Sequence, residues 1–224
     1  MSGTFSYTLV RSQRKSLALV VSKDATLTVR APLRVSVGHI ELFVVQNADW
    51  IRRTIERMRV RFSSGKRQYT DGELFWYLGE SYPLRVSETT KHSLEFLDGE
   101  FVLSARFRNR AKERFSAWYK REAKKILAAR VAFFAERHGL LYRSVRISAA
   151  QTRWGSCSGK GSLNFTFRLV MAPFFVIDSV VAHELAHLAH PNHSKLFWRA
   201  VADILPDFET GRHWLKKNGH LLEC

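Results

Sequence analysis

Two histidines one helical turn apart constrain this chain more than any other feature of its sequence. Residues 183–187 read His-Glu-Leu-Ala-His within a largely apolar segment. Because helical residues four apart lie on the same face about 6 Å apart, His183 and His187 could bind one Zn²⁺ through their imidazoles. Glu184 is rotated about 100° from His183 and could take a proton from a metal-bound water. The pattern predicts one zinc ion per chain, at a site that other divalent metals could also occupy.

A catalytic zinc usually has three protein ligands and one position for water, so a third ligand is required. His190 lies on the same helical stripe as His183, but it is about 10 Å away along the axis. Pro191 disfavours helical conformation at His190 and allows the chain to turn, so that His193 could approach the metal from another direction. We expect His193 as the third ligand, with His190 or a downstream carboxylate as alternatives, and with a metal-free histidine-rich helix as the remaining interpretation. The candidate carboxylates are Asp203, Asp207 and Glu209.

The charge balance and the cysteine content limit the classes of protein and partner. The 224 residues include 36 Lys and Arg against 20 Asp and Glu, a formal net charge of +16. This field attracts polyanions such as nucleic acid, although excess charge can also serve solubility alone. Cys157 and Cys224 are too few for a disulfide framework, the first residues lack the apolar core of a signal peptide, and Pro173 and Asp178 interrupt the most apolar stretch. We expect a cytoplasmic protein without membrane insertion, whose basic surface could contact nucleic acid.

Hydrophobic periodicity predicts an α+β chain of two domains. Residues 1–105 are expected to form a β-rich N-terminal domain with one helix over residues 37 to about 61, capped by Ser36. Residues 106–224 are expected to form a mainly helical, metal-binding catalytic domain. The strands predicted in the first domain are 7–10, 17–21, 27–30, 74–78, 82–86, 94–97 and 101–103.

The second domain is expected to contain one long helix and the helix of the metal site. A basic amphipathic helix is predicted over residues 109–138. The metal helix is predicted over residues 176–190, with Asp178 or Ser179 as its N-cap, and Ser194 is expected to cap a short helix after it. Short strands are predicted over residues 145–148 and 162–167.

Short motifs spread along the chain point to one family. They are Gln151-Thr-Arg-Trp-Gly-Ser-Cys157, Asn164-Phe-Thr-Phe-Arg-Leu169, Ala172-Pro173, His183-Glu-Leu-Ala-His187, Asn192-His-Ser194 and Phe197-Trp198, with Arg11-Ser12, Arg14-Lys15 and Trp50-Ile51 as weaker support. Together they resemble the YgjP-like metallopeptidase-domain family over about residues 5–218. The resemblance implies a minimal zincin-like metallohydrolase domain, with His183, His187 and His193 as metal ligands and Glu184 as the base.

Three functions follow from these observations. The expected function is that of a metallopeptidase, in which Zn-bound water activated by Glu184 attacks a peptide carbonyl. The second is hydrolysis of a nucleoside triphosphate, a pyrophosphatase activity that is also attributed to the family; Arg11, Arg14 and Arg30 suit phosphate binding, although no P-loop is present. The third is a DNA-associated protein with a zincin-like domain, which the basic helix favours.

Arg153 and Cys157 share one of the motifs and have open roles. Arg153 is a candidate catalytic residue because its charge could stabilise the transition state, but it could equally pair with a carboxylate as a structural group. Cys157 could act as a nucleophile, although beside a metal site we expect a packed, inert thiol. The resemblance to zincins implies that a strand beside the metal helix pairs with an extended substrate, and residues 162–167 or the segment before them are the candidates for that strand.

Overall fold

A computed structural model describes residues 5–22, 25–63 and 67–224, with the backbone alone for residues 57–63. Strands dominate the first part of the chain and helices the second, which confirms the predicted α+β class. None of the helices in these ranges combines the length and the hydropathy that crossing a bilayer requires.

The chain divides into two compact units, Met1–Arg67 and Gln68–Cys224. The boundary that the sequence predicts between residues 105 and 106 therefore lies within the second unit. As a boundary between separately folding domains, it stays a prediction.

A three-stranded sheet and two helices form the first unit. Its elements are β1 (Tyr7–Ser12), β2 (Ala18–Val21), β3 (Leu27–Pro32), α1 (Val37–Gln46) and α2 (Ala48–Ser63). Strand β3 is central, with β1 parallel on one side and β2 antiparallel on the other. Leu27, Val29 and Ala31 are buried and alternate with more exposed residues, as in a sheet with one covered face. Ile40 and Ile51 of the helices complete this core.

The single helix predicted over residues 37 to about 61 is wrong, because the chain forms two helices that are separated at Asn47. The side-chain amide of Asn47 donates a hydrogen bond of 2.8 Å to the carbonyl of Phe43. An asparagine that competes for main-chain carbonyls in this way favours a helix end. The predicted cap is confirmed, since the hydroxyl of Ser36 accepts a hydrogen bond from the N–H of His39.

Two hairpins form a four-stranded sheet at the start of the second unit. Its strands are β4 (Leu74–Tyr77), β5 (Glu80–Ser87), β6 (Leu94–Leu97) and β7 (Glu100–Ser104), in the order β4-β5-β7-β6. The segments Gly79-Glu80-Ser81 and Asp98-Gly99-Glu100 each predict a hairpin between the flanking strands, and both hairpins are confirmed. Each turns through two residues with positive φ, Leu78-Gly79 and Asp98-Gly99, the conformation that matches the twist of the flanking strands.

One long helix, α3 (Ala111–Arg137), supplies much of the core of the second unit and agrees with the predicted range. Its aromatic side chains pack against the four-stranded sheet. The rings of Phe115 and Phe75 stack with their centroids 4.0 Å apart, and Trp118 meets Phe101 edge-on at 5.0 Å. Such aromatic pairs bury large apolar areas, so α3 is anchored along its length.

Internal ion pairs neutralise part of the basic surface of α3. Arg130 binds Asp178 through two hydrogen bonds of 2.6 and 2.8 Å, and both side chains are largely buried. Lys125 pairs with Glu122 at 3.1 Å. The Arg130 pair ties α3 to the segment that carries the histidine motif, so this arginine serves packing within the chain.

A second sheet and three shorter helices complete the unit. They are β8 (Ser144–Ser148), β9 (Gly155–Cys157), β10 (Ser162–Thr166), α4 (Phe174–Ala186), α5 (Lys195–Ile204) and α6 (Phe208–Asn218). Strand β10 is central, parallel to β8 and antiparallel to β9, so β9 is an edge strand. Helix α4 packs against β9, α3, α5 and α6, which buries most of its surface. Ser194 caps α5 as predicted, by accepting a hydrogen bond from the N–H of Phe197.

Candidate active site

Helix α4 carries the histidine motif, but the predicted range of 176–190 is wrong at both ends. The helix begins directly after Pro173, which has a fixed φ and no N–H to pair. Asp178 and Ser179, which were expected to cap the helix, lie inside it. The helix ends at Ala186, and Pro191 disfavours its continuation through His190, the residue before the proline.

Three histidine side chains meet at the end of α4. The Nε2 atoms of His183 and His193 are 3.1 Å apart. One ring nitrogen from each of His183, His187 and His193 lies within 4.8 Å of the others. The turn after α4 thus brings His193 back to the two helical histidines. Phe197 packs against this group, with its ring centroid 4.9 Å from that of His183 and 4.5 Å from that of His187.

The alternative third ligands lie outside this group. Within the described ranges, the metal-ligating cluster contains no carboxylate and not the ring of His190, so Asp203, Asp207 and Glu209 are not brought to it. His190 contributes its main-chain carbonyl instead, which lies 3.0 Å from Nδ1 of His187. If Nδ1 donates to this carbonyl, Nε2 of the neutral ring remains as the metal-binding atom.

The ring of His183 is kept neutral by its surroundings. Burial, followed by the nearby charges of His187, His193 and Arg212, lowers the pKa of His183 to about 4. A neutral imidazole can bind a metal without first losing a proton.

Glu184 is buried beside the histidines and is 5% exposed. Burial raises its pKa to about 7, while the positive charge of Arg153 acts in the opposite direction. Its Oε2 atom has no hydrogen-bond partner among the described residues. A β-carbon on Gly155 would lie 2.6 Å from Oε1, so glycine leaves the space beside β9 that the carboxylate occupies. A carboxylate with a pKa near neutrality can both accept and return a proton.

Comparison with known proteins identifies the family. The family described as YgjP-like, metallopeptidase domain, matches residues 15–218. This chain belongs to the YgjP-like family. The match confirms the resemblance drawn from the motifs and gives the chain a metallopeptidase domain, a metal-dependent hydrolase in general terms.

A solved structure also resembles part of the YgjP-like chain. It is the crystal structure of the metallopeptidase zymogen of Pyrococcus abyssi abylysin, with 21% identity and a TM-score of 0.37. The similarity covers 41% of this chain and 93% of that one. No curated protein matches significantly.

The family implies a metal, and the residues at the site fit one. Tetrahedral Zn²⁺ with Zn–N distances of about 2.0–2.1 Å places its ligand nitrogens about 3.3 Å apart. The 3.1 Å between Nε2 of His183 and Nε2 of His193 is close to this value. Imidazole nitrogens suit zinc and several neighbouring transition metals, whereas Mg²⁺ and Ca²⁺ prefer oxygen ligands.

Two arginines of the YgjP-like motifs occupy different environments. Arg153 is exposed and close enough to the buried carboxylate to oppose the rise in its pKa. Arg168 is buried, donates to the carbonyls of Leu222 and Gln151, and lies over the ring of Trp154. It therefore fastens the segment before β9 to the C-terminal residues. The motifs alone assign Arg168 no role, although a lone arginine within an apolar run is a signal for a buried, hydrogen-bonded guanidinium.

Cys157, on β9, has the properties of an unreactive thiol. Burial, and to a smaller extent the charge of Glu184, raises the pKa of Cys157. A raised pKa disfavours the nucleophilic thiolate, which supports the predicted packed, inert thiol.

A cavity of about 390 Å³ opens beside His183 and Glu184. Trp154 and Trp198 form apolar walls. Helix α6 forms a further wall, which the sequence does not predict because no local pattern links α6 to the metal helix. The α6 residues at the cavity are Phe208, Arg212, Leu215 and Lys216.

Proposed function

We propose that this YgjP-like chain is a zinc-dependent metallopeptidase in which His183, His187 and His193 bind the metal and Glu184 is the general base. The observation that most supports this proposal is that imidazole nitrogens of three histidines lie within 4.8 Å of one another. The buried carboxylate of Glu184 follows His183 directly on α4. Three protein ligands leave a fourth tetrahedral position for water or substrate, which distinguishes catalytic zinc from closed structural sites.

The proposed reaction is hydrolysis of a peptide bond. When bound, zinc lowers the pKa of water and polarises a carbonyl group. Glu184 takes a proton from the attacking water and delivers it to the leaving amine nitrogen as the C–N bond breaks. A pKa of about 7 suits a group that must perform both transfers near neutral pH. Arg153, also proposed as catalytic, would stabilise negative charge that develops on the carbonyl oxygen.

The free edge of β9 is the proposed docking site for the substrate main chain. Trp154 and Ser158, on either side of β9, bond through their main chains to β10. Because such bonds alternate in an antiparallel pair, the main-chain groups of Gly155 and Cys157 point away from β10. Strand β10 is paired on both sides, so of the two segments predicted to bind substrate, the one before it is the candidate. An extended peptide could add there as a further strand.

The first test compares the zinc-loaded chain with Glu184→Gln on unfolded protein and mixed peptides. Mass spectrometry should detect cuts by the wild type that are absent with the variant, since glutamine cannot accept the proton. Metal content is measured in parallel, because Glu184→Gln should still hold one zinc ion per chain. Cuts that persist with Glu184→Gln, or no cut across a broad peptide panel, would contradict the proposal.

The second test concerns the third ligand. His193→Ala should lower zinc affinity by at least about tenfold, as expected when one ligand of three is removed. His190→Ala retains the main-chain carbonyl and should keep the metal. His213→Ala removes an exposed histidine on α6 and is the matched control. Zinc titration in competition with a chromogenic chelator gives the affinities, and equal values for His193→Ala and His213→Ala would exclude His193 as a ligand.

Hydrolysis of a nucleoside triphosphate is the second candidate function. Arg212 and Lys216 favour it, since they place positive charge at the cavity beside His183. Release of pyrophosphate from triphosphates, lost in Glu184→Gln while no peptide is cleaved, would replace the peptidase assignment.

Contact with nucleic acid through the basic surface and cytoplasmic localisation both stay predictions from composition. DNA binding that weakens steeply with increasing salt would support the nucleic-acid contact. Cell fractionation would test the localisation.

A further inference from the structure

The cavity beside the proposed metal centre has a cationic wall. Arg212 and Lys216 lie four residues apart on α6, so they share one face of the helix, and both line the cavity. Both side chains are exposed, and among the described residues neither has a carboxylate oxygen within 4.0 Å. Two neighbouring cations without an acidic partner repel each other, and an anion bound between them would relieve this repulsion.

The ring of Trp198 contacts both Arg212 and His183. The guanidinium carbon of Arg212 lies 4.8 Å from the centroid of the Trp198 ring, an arrangement that restrains the arginine. Arg212 and His183 line the same cavity. Trp154 lines the cavity as well, so apolar surface and positive charge lie side by side.

We infer that this cavity binds a substrate residue whose carboxylate pairs with Arg212 and Lys216, next to the peptide bond that is cleaved. The inference rests on the proposed peptidase function and names its substrate class. A planar guanidinium binds a carboxylate through two parallel hydrogen bonds, and a lysine adds a second charge. The volume of about 390 Å³ lies at the low end of ligand sites, about 300–1,000 Å³, and suits a residue-sized group.

Two sources could supply the carboxylate: an acidic side chain within the peptide, or a free C-terminus. A triphosphate is the less favoured anion, because its several negative charges would meet these two cations together with the buried carboxylate of Glu184. The apolar walls also suit the aliphatic or aromatic part of a peptide residue.

Binding to zinc-loaded Glu184→Gln tests the inference without requiring turnover. Three fluorescent peptides are compared that differ only at one residue and at the C-terminus. The first has glutamate and an amidated C-terminus, the second glutamine and an amidated C-terminus, and the third glutamine and a free C-terminus. A peptide carrying the favoured carboxylate should bind about 10- to 100-fold more tightly than the neutral peptide. Adding Arg212→Gln and Lys216→Gln together should abolish the difference. Adding Lys217→Gln, an exposed lysine on the same helix outside the cavity, should leave the difference unchanged.

The outcomes separate this inference from the proposed function. Equal affinities for all three peptides, or a preference that survives the double substitution, would overturn the inference. In another outcome, a nucleoside triphosphate competes with peptide binding only when Arg212 and Lys216 are present, while the three peptides bind equally. That result would overturn the inference and identify a nucleotide as the ligand of the cavity. If the wild type cleaves peptides without preference for a carboxylate, the peptidase function stands and the inference fails. If the preference is present and no peptide is cleaved, carboxylate binding by Arg212 and Lys216 stands, whereas the peptidase function and the placement of the carboxylate next to a cleaved bond both fail.

Discussion

Burial of Glu184 should destabilise the metal-free protein whenever this carboxylate is ionised. Moving the pKa of the carboxyl from 4.5 to about 7 corresponds to about 3 kcal/mol of unfavourable free energy in the ionised folded state. The folded protein binds the proton more tightly than the unfolded chain does. The free energy of unfolding therefore falls as pH rises from about 4.5 to about 7, and changes little for this group above that range.

Glu184→Gln removes the charge and nearly preserves the shape, so it should stabilise the metal-free protein. The gain should reach about 3 kcal/mol at pH 8 and fall to less than about 0.5 kcal/mol at pH 4.5, where Glu184 is neutral in the folded protein and about half neutral in the unfolded chain. Glu136→Gln changes an exposed glutamate on α3 and should alter stability by less than about 0.5 kcal/mol at either pH.

Urea unfolding in the presence of a chelator, followed by tryptophan fluorescence, measures this difference. Five of the six tryptophans lie in the second unit, so the signal reports mainly on the unit that contains Glu184. The reasoning is refuted if Glu184→Gln is no more stable than the wild type at pH 8, or if its advantage is the same at pH 4.5.

Three other changes have defined outcomes. Gly155→Ala should lower kcat about 100-fold in the peptide assay, because a β-carbon 2.6 Å from Oε1 of Glu184 must displace the carboxylate; Gly159→Ala, with no heavy atom within 4 Å of its β-carbon, should retain activity. Gly211→Ala should destabilise the second unit by about 1–3 kcal/mol in urea unfolding, since its β-carbon would lie 2.5 Å from Cβ of Ser179, and an unchanged midpoint would contradict this. Chelation should abolish peptide cleavage and lower Tm, and added zinc should restore both, whereas activity that survives chelation would argue against a metal.

Local rules predicted much of the secondary structure. The two hairpins and the caps Ser36 and Ser194 depend on side chains near in sequence, and the sequence predicts all four. The sequence places the first turn at residues 79–81, whereas the chain turns at Leu78-Gly79. The break at Asn47 was missed because apolar periodicity continues through it, while the competing hydrogen bond comes from one side chain.

For the metal helix as well, the sequence predicts the element but not where it begins and ends. Its motif was evident, but its ends were not, because Asp178 resembles an N-cap in sequence. In the folded chain this aspartate pairs instead with Arg130, 48 residues earlier. A residue that could cap a helix locally was thus recruited by packing against α3.

The sequence by itself determined that His183, Glu184 and His187 share one helix end, and that the chain turns at Pro191 before His193. Helical period and proline sterics act over a few residues, so spacing alone predicts them. Only the tertiary structure decided how close the three rings come, how deeply Glu184 is buried, and that α6 places Arg212 and Lys216 beside them. Those properties arise from packing between segments far apart in the chain, and this packing sets both the desolvation of a carboxylate and the neighbours of a metal site.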